Sequence, residues 1–247
     1  MKDRLSSGEG YAERDRSSRK STRKMLLEIA KVIDPDMVGR LLEMICTGEF
    51  VSGLKTATGC AAQVKDNEQL DVQSDVALRA GQLLIDKLRQ NPVFSAATLP
   101  ARIVPPRFSR YRPGMRYGDH LDAPLMGGLP PIRTDIAVTL FLADPSSYDG
   151  GELAIETDYG IQRFKGEAGD CVIYPADAVH RVEPVSRGER VAGFFWIQSL
   201  VRDPAKRRIV FDLAGVVEFF DQTAQPGMHI ETLRRCNVNL IRMWADA

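Results

Sequence analysis

Residues 135–142 read DIAVTLFL, and GELAIE (151–156), IQRF (161–164), DCVIY (170–174), AVHRVE (178–183) and VAGFFWIQ (191–198) follow. Two more runs, at 102–104 and 108–111, precede them. Each is short, rich in β-branched and aromatic residues, and bounded by Gly, Pro, Asp or Ser, the pattern of strands separated by turns. About eight strands in roughly one hundred residues predict a sandwich or barrel of jelly-roll type. A parallel α/β sheet is disfavoured, because no helical period lies between the strands.

Outside this β-rich centre the period changes to that of helices. Asp34-Pro35 sets a cap followed by proline at the first helical position, and Val38, Leu41, Leu42 and Ile45 repeat at helical spacing. A second helix is predicted over 74–90, with Val76, Ala80, Leu83, Leu84 and Leu88 in one stripe and Asn91-Pro92 as its stop. Both are expected to pack on one face of a sheet. After Ser199, Asp203-Pro204 starts a helix carrying Ile209, Val210, Leu213, Val216, Val217 and Phe220, and a last helix holds Ile230, Leu233, Leu240, Ile241 and Trp244. The expected fold class is mainly β with flanking helices (α+β). Residues 1–24 are expected to be a disordered basic tail, possessing almost no apolar residue. Residues 25–199 form one domain with its β core at about 100–199, and 200–247 form a helical extension. That extension packs on the barrel or on a second copy, so a homo-dimer is open.

The chain has 247 residues, 44% of them apolar, enough for a sizeable core. Lys plus Arg and Asp plus Glu are equal at 33 each, so no global field points to nucleic acid or to an anionic membrane. No apolar run approaches the ~18 residues of a transmembrane helix, and the N-terminus lacks a signal-peptide core. Cys46, Cys60, Cys171 and Cys236 are scattered, which fits a reducing cytoplasmic setting better than a disulfide framework. The histidines are three: His120, His180 and His229.

The chemistry is written in residues 110–122, RYRPGMRYGDHLD. On an extended backbone i and i+2 face the same way, so His120 and Asp122 aim at one point with Leu121 turned outward. His180, in a strand-like run, is the natural third ligand. Two imidazoles and a carboxylate on one face of an octahedron form the triad of non-haem iron(II) oxygenases, leaving positions for a bidentate co-substrate and dioxygen. Arg190, ten residues beyond His180, supplies a planar guanidinium suited to a carboxylate. It shares strand parity with Ala192, Phe194 and Trp196, which suggests one inward face. Tyr111 is a second candidate donor to that carboxylate, and Tyr117 is expected closer to the metal. His229 reads as a surface residue, Cys171 as a small buried one, and Asp119 as a possible support behind the ligands. The loop 123–133 is expected to form a mobile lid at the pocket mouth. No G-x-S-x-G, Walker A or G-x-G-x-x-G motif competes.

The spacing Tyr111-x5-Tyr117-x2-His120-x-Asp122, with TLFLAD (139–144), DGGEL (149–153) and Gly169-Asp170 leading to His180 and Arg190, resembles prolyl 4-hydroxylase catalytic domains. It is most similar to the bacterial PKHD-type hydroxylases, a group linked to iron uptake, over nearly all of 25–247. The resemblance implies a double-stranded β-helix, Fe(II) at His120, Asp122 and His180, and 2-oxoglutarate held by Arg190. It also implies L-ascorbate dependence, and hydroxylation of an unidentified peptidyl or small-molecule substrate with release of succinate and CO2. An intact Asp122 argues against a halogenase. The competing readings are a non-catalytic iron- or oxygen-sensing β-barrel and a nucleic-acid demethylase; neutral charge and the lack of a basic patch disfavour the second.

Overall fold

The computed structural model describes residues 25–57, 59–223 and 228–246; the basic tail expected at 1–24 lies outside them. β1 (Leu27–Ile29) and α1 (Pro35–Cys46) come first, then β2 (Phe50–Ser52), the single-turn α2 (Cys60–Gln63), β3 (Lys65–Asp66) and β4 (Glu68–Leu70). α3 (Asp75–Gln90) and α4 (Pro92–Thr98) lead into the β-rich centre. There follow β5 (Pro100–Ile103), β6 (Arg107–Tyr111), β7 (Arg116–His120), β8 (Leu125–Met126), β9 (Ile132–Arg133), β10 (Ile136–Phe141) and β11 (Asp149–Gly150). β12 (Leu153–Thr157), β13 (Gly160–Phe164), β14 (Cys171–Pro175), β15 (His180–Val182), β16 (Val185–Arg187) and β17 (Arg190–Ser199) complete it, before α5 (Pro204–Gln222) and α6 (Met228–Trp244).

The helix starts follow the capping chemistry. Asp34 accepts from the Met37 N–H at 2.8 Å, Ser74 from Ala77 at 3.2 Å, and Asp203 from Ala205 at 2.8 Å. Asn91-Pro92 does more than the expected stop. Asn91 ends α3 and also caps α4, accepting from the Phe94 N–H at 3.0 Å with Pro92 in the first turn.

The strands form two main antiparallel sheets. The larger runs β1-β14-β10-β17-β6-β4-β2, with β5 beside β17, and the smaller runs β13-β12-β15-β7-β3. Period-2 alternation splits the larger sheet between two cores. Ile136, Val138, Leu140, Cys171, Ile173, Phe195 and Ile197 join the α1, α3 and α4 side chains in one cluster. Ala137, Phe141, Val172, Tyr174 and Trp196 point the other way, onto Leu153 and Ile155 of the smaller sheet. This is the jelly-roll core, with helices on one face as expected, and it explains why all six residues of β10 are buried. The C-terminal helices pack on the same body: Val210 is buried, and the buried Arg207 donates to the Val201 carbonyl at 2.8 Å. No helix among the described residues is long and apolar enough to cross a membrane.

β7 is a strand absent from the sequence-based set, and so is the segment carrying β3 and β4. That segment bridges the sheets, since Lys65 pairs with Tyr117 of β7 and Gln69 with Ser109 of β6.

Candidate active site

Pairing of β15 with β7 places His180 directly opposite His120, sixty residues away in the chain. The ring centroids are 4.2 Å apart. Asp122 lies just past the end of β7, with Leu121 57% exposed as the i, i+2 argument requires. Ligand atoms of His120, Asp122 and His180 all fall within 4.8 Å of one another, and His180 Nε2 is 3.8 Å from Asp122 Oδ2.

Both imidazoles are fixed by the backbone. His120 Nδ1 meets the Gly118 carbonyl at 2.9 Å and His180 Nδ1 meets the Ala178 carbonyl at 3.0 Å. A carbonyl only accepts, so each Nδ1 carries a proton and Nε2 is the ring atom left to serve as a ligand. Burial, with His180 beside it, pushes His120 down to about 3, so this ring stays neutral. Tyr117 stacks on His120 with centroids 3.6 Å apart and planes at 16°. Burial raises the pKa of Asp122, opposed by His180 and by a hydrogen bond from the Trp196 indole. Its Oδ2 is buried without a protein partner. Two imidazole nitrogens and one carboxylate with an unpartnered oxygen suit a divalent ion of the Fe(II) class.

Arg190 begins β17 and is 2% exposed. Its register partner is Tyr111, and the guanidinium carbon lies 5.3 Å from that ring's centroid. Arg190 hydrogen-bonds the buried Tyr148, yet its Nε and Nη2 have no protein partner. Burial raises the Tyr111 pKa, so the phenol remains a donor. A cleft of about 240 Å³ joins these parts and is lined by Tyr111, Tyr117, the three ligand residues and Arg190. Ala192, Phe194 and Trp196 line it too, as the parity predicted. The chain stays close to Arg190 because Gly150 and Gly151 both take positive φ, +73° and +71°. At Gly151 a Cβ would sit 3.0 Å from Arg190 Cδ.

Other expected residues are placed as follows. Asp119 is exposed and pairs with Arg181 at 3.1 Å, so it does not back the ligands. Its position between His120 and Gly118 turns it to the opposite strand face. His229 is exposed and Cys171 fully buried, as expected. The loop 123–133 folds into the β8–β9 hairpin, and Ala123 and Met126 reach the cleft. The sequence reading missed Lys65, Asn67, Gln69, Arg107 and Tyr148. Arg107, Ser109 and Tyr111 alternate inward along β6, a parity the sequence did offer; 65–70, KDNEQL, is polar on both faces and offers no such signal.

Comparison with known proteins agrees with this geometry. Residues 106–198 match the 2OG-Fe(II) oxygenase superfamily. A PKHD-type hydroxylase of Xanthomonas campestris is 44% identical over 227 residues, covering 90% of this chain and 100% of the relative. One from Cupriavidus metallidurans is 41% identical over 229 residues with the same coverage. In fold, the chain is similar to a Trichoplax adhaerens prolyl hydroxylase solved with a hypoxia inducible factor peptide, at TM-score 0.53 and 12% identity, covering 74% of this chain and 86% of that one. It is likewise similar to a 2OG-Fe(II) oxygenase family oxidoreductase of Burkholderia pseudomallei, at TM-score 0.52 and 15% identity, covering 70% and 82%. Identity at this level across nine-tenths of its length means that the chain belongs to the PKHD-type hydroxylases of the 2OG-Fe(II) oxygenase superfamily, an oxidoreductase family.

Proposed function

We propose that the protein hydroxylates an organic substrate at the cleft, in the balanced reaction substrate C–H plus O2 plus 2-oxoglutarate giving substrate C–OH plus succinate plus CO2. The observation that carries this reading is the convergence of three metal-competent ligand atoms within 4.8 Å, in a cleft that also presents Arg190 with two unpartnered guanidinium nitrogens.

His120 and His180 would hold Fe(II) through Nε2 and Asp122 through its carboxylate. Bound there, the iron supplies the activation of dioxygen. The chain's own residues bind and orient. Arg190 grips the distal carboxylate of 2-oxoglutarate with its unpartnered N–H groups, a charge-assisted contact made stronger by burial. The protonated Tyr111 hydroxyl is the neighbouring donor, and Tyr148 steadies Arg190 from the other side. Tyr117 fixes the plane of the His120 ring by stacking. Trp196 holds the Asp122 carboxylate in one orientation, the kind of support that sets ligand geometry. Ala192, Phe194, Leu153 and Val182 give the cleft apolar walls that limit water around the reacting carbon. L-Ascorbate keeps the iron reduced between turnovers in this reading.

The test is succinate formation from 2-oxoglutarate in the presence of Fe(II) and L-ascorbate, alongside 2-oxoglutarate binding followed by calorimetry. Binding without any succinate, with or without a metabolite and peptide panel, would leave a sensor. Loss of binding in Arg190→Met but not in wild type supports the assigned anchor.

A further inference from the structure

The cleft holds more positive charge than the oxygenase chemistry uses. Its lining cations are Lys65, Arg107 and Arg190, and its one lining carboxylate is Asp122. Fe(II) and Arg190 together would be matched by Asp122 and the two carboxylates of 2-oxoglutarate. Lys65 and Arg107 stand outside that balance.

Neither is an ordinary solvated cation. Lys65 is 7% exposed, and a lysine is almost never that buried unless paired. Its Nζ donates to Thr56 Oγ1 at 3.0 Å and lies 5.0 Å from the Tyr117 ring centroid. Arg107 lies half-buried with its guanidinium carbon 5.3 Å from the Trp196 centroid. Among the described residues neither makes an ion pair; Arg107 raises the cost of the Lys65 charge, and Asp122 favours the charged form of both from a distance. Burial and that repulsion pull Lys65 down to about 8. A third donor stands with them. Gln69 is 1% exposed; its Oε1 accepts from the Thr56 hydroxyl at 2.6 Å, and its buried Nε2 has no protein partner.

Register separates Arg107 from the 2-oxoglutarate anchor, while 65–69 runs beside β6 with Gln69 paired to Ser109. On β6, opposite β17, Tyr111 pairs with Arg190 and Arg107 pairs with Phe194, four residues further on. At ~3.3 Å per residue that is about 13 Å of strand. A five-carbon diacid is on the order of 6 Å long, so one held at Arg190 ends well short of Arg107. The donors also do not serve Asp122 alone, since Asp122 is the carboxylate a metal ion would take.

We propose, resting on the oxygenase reading above, that Lys65, Gln69 and Arg107 recognise the primary substrate, which carries an anionic carboxylate-class group beside the carbon that is hydroxylated. The segment 65–69 reads this group from the gap between the two sheets, and Arg107 from the floor of the larger one. The carbon to be oxidised then lies between that group and the metal ligands.

The experiment uses the full chain loaded with Mn(II) and saturating 2-oxoglutarate, titrated calorimetrically with benzoate and phenylacetate against benzamide and phenylacetamide. Each anion should bind at least tenfold more tightly than its amide. Lys65→Met and Arg107→Met should each abolish that preference, Lys65→Arg should keep it, and 2-oxoglutarate affinity should stay within twofold in all three. Metal-free Lys65→Met should melt no lower than wild type, because an unpaired buried cation burdens the fold. Equal binding of anion and amide, binding of neither, or a preference that survives both Met variants overturns the proposal. So does a tenfold loss of 2-oxoglutarate affinity, which would make these cations part of the co-substrate site, or a fall of several degrees in melting, which would make Lys65 structural. Failure of wild type to bind 2-oxoglutarate at all is a separate result: it removes the oxygenase reading, and this proposal with it.

Discussion

Gly151→Ala puts the link between backbone conformation and co-substrate binding to a quantitative test. The residue takes φ +71°, where an L side chain costs roughly 1–2 kcal/mol. The new Cβ would lie 3.0 Å from Arg190 Cδ, 3.0 Å from Val185 Cγ2 and 3.2 Å from Tyr148 Cε2. All three belong to buried residues, so overpacking adds about 1–3 kcal/mol. Total destabilisation should therefore be about 2–5 kcal/mol. The freest neighbour is the aliphatic stem of Arg190, which has to give by a few tenths of an ångström. A bidentate grip does not tolerate that well, and losing one charge-assisted hydrogen bond of ~1.5–3 kcal/mol weakens 2-oxoglutarate about 10- to 100-fold. Gly114→Ala is the control: it has φ +91° and nothing within 4 Å, so it carries backbone strain alone. Urea denaturation gives the stabilities, and calorimetry of the Mn(II)-loaded protein gives the affinities. If Gly151→Ala binds 2-oxoglutarate within twofold of wild type, Arg190 is not the anchor or its position does not matter.

Three further outcomes follow from the same geometry. Arg190→Met should lower 2-oxoglutarate affinity at least 100-fold while leaving metal-free stability within about 1 kcal/mol, since it removes a buried, partly unpartnered charge; a collapse in stability instead would make Arg190 a structural residue. Asp122→Ala should abolish the stabilisation that saturating Mn(II) gives wild type, about 3–4 kcal/mol at 100–1,000 times Kd and read as a higher melting temperature; a persisting rise would place the metal elsewhere. Lys65 has a folded pKa of about 8 against 10.5 for its ordinary value, so between those pH values the unfolded chain binds a proton that the folded one does not. Stability should accordingly rise with pH across that window, by at most ~3 kcal/mol, and fall short by that amount below pH 8. Measured as the wild-type minus Lys65→Met difference at pH 7.5 and pH 10, a flat result would show that Lys65 is not the desolvated cation described here.

The parts legible in the sequence were those where a local rule and the fold agree. DIAVTLFL and VAGFFWIQ read as strands because alternation and β-propensity coincide, and β10 and β17 lie there. His120 and Asp122 could be paired from strand parity and Arg190 grouped with Ala192, Phe194 and Trp196, whereas His180 was chosen as the remaining strand histidine; its place opposite His120 is a long-range register that no local rule states. Asn91-Pro92 was read only as a stop, although an asparagine before a proline is also a start signal, and the structure uses it as both. Tyr148 was hidden in a turn, where no periodicity reports burial. Residues 65–70 were the least readable. Lys65, Asn67 and Gln69 face inward between the outward Asp66 and Glu68, and alternation of polar with polar carries no hydropathy signal.

The same segment explains why the cleft has its chemistry. A stability-driven core would place apolar residues at positions as buried as 65, 67, 69 and 190, and each polar group there carries a desolvation cost. Buried side-chain atoms without a protein partner occur in Asn67, Gln69, Asp122 and Arg190, all of which line the cleft; outside it, the described residues have them only in Arg207 and Asn237. The grouping divides by chemistry as well as by place. Asp122 offers an acceptor at the imidazole pair, Arg190 offers donors beside Tyr111, Arg107 offers donors four residues further along β6, and Lys65 and Gln69 offer donors from the segment that bridges the sheets. A site meant only to bind metal would need the first of these. A site for a metal and a dicarboxylate would need the first two. In the proposal above, the remaining donors serve a further anion that enters from the side where β3 and β4 cross between the sheets.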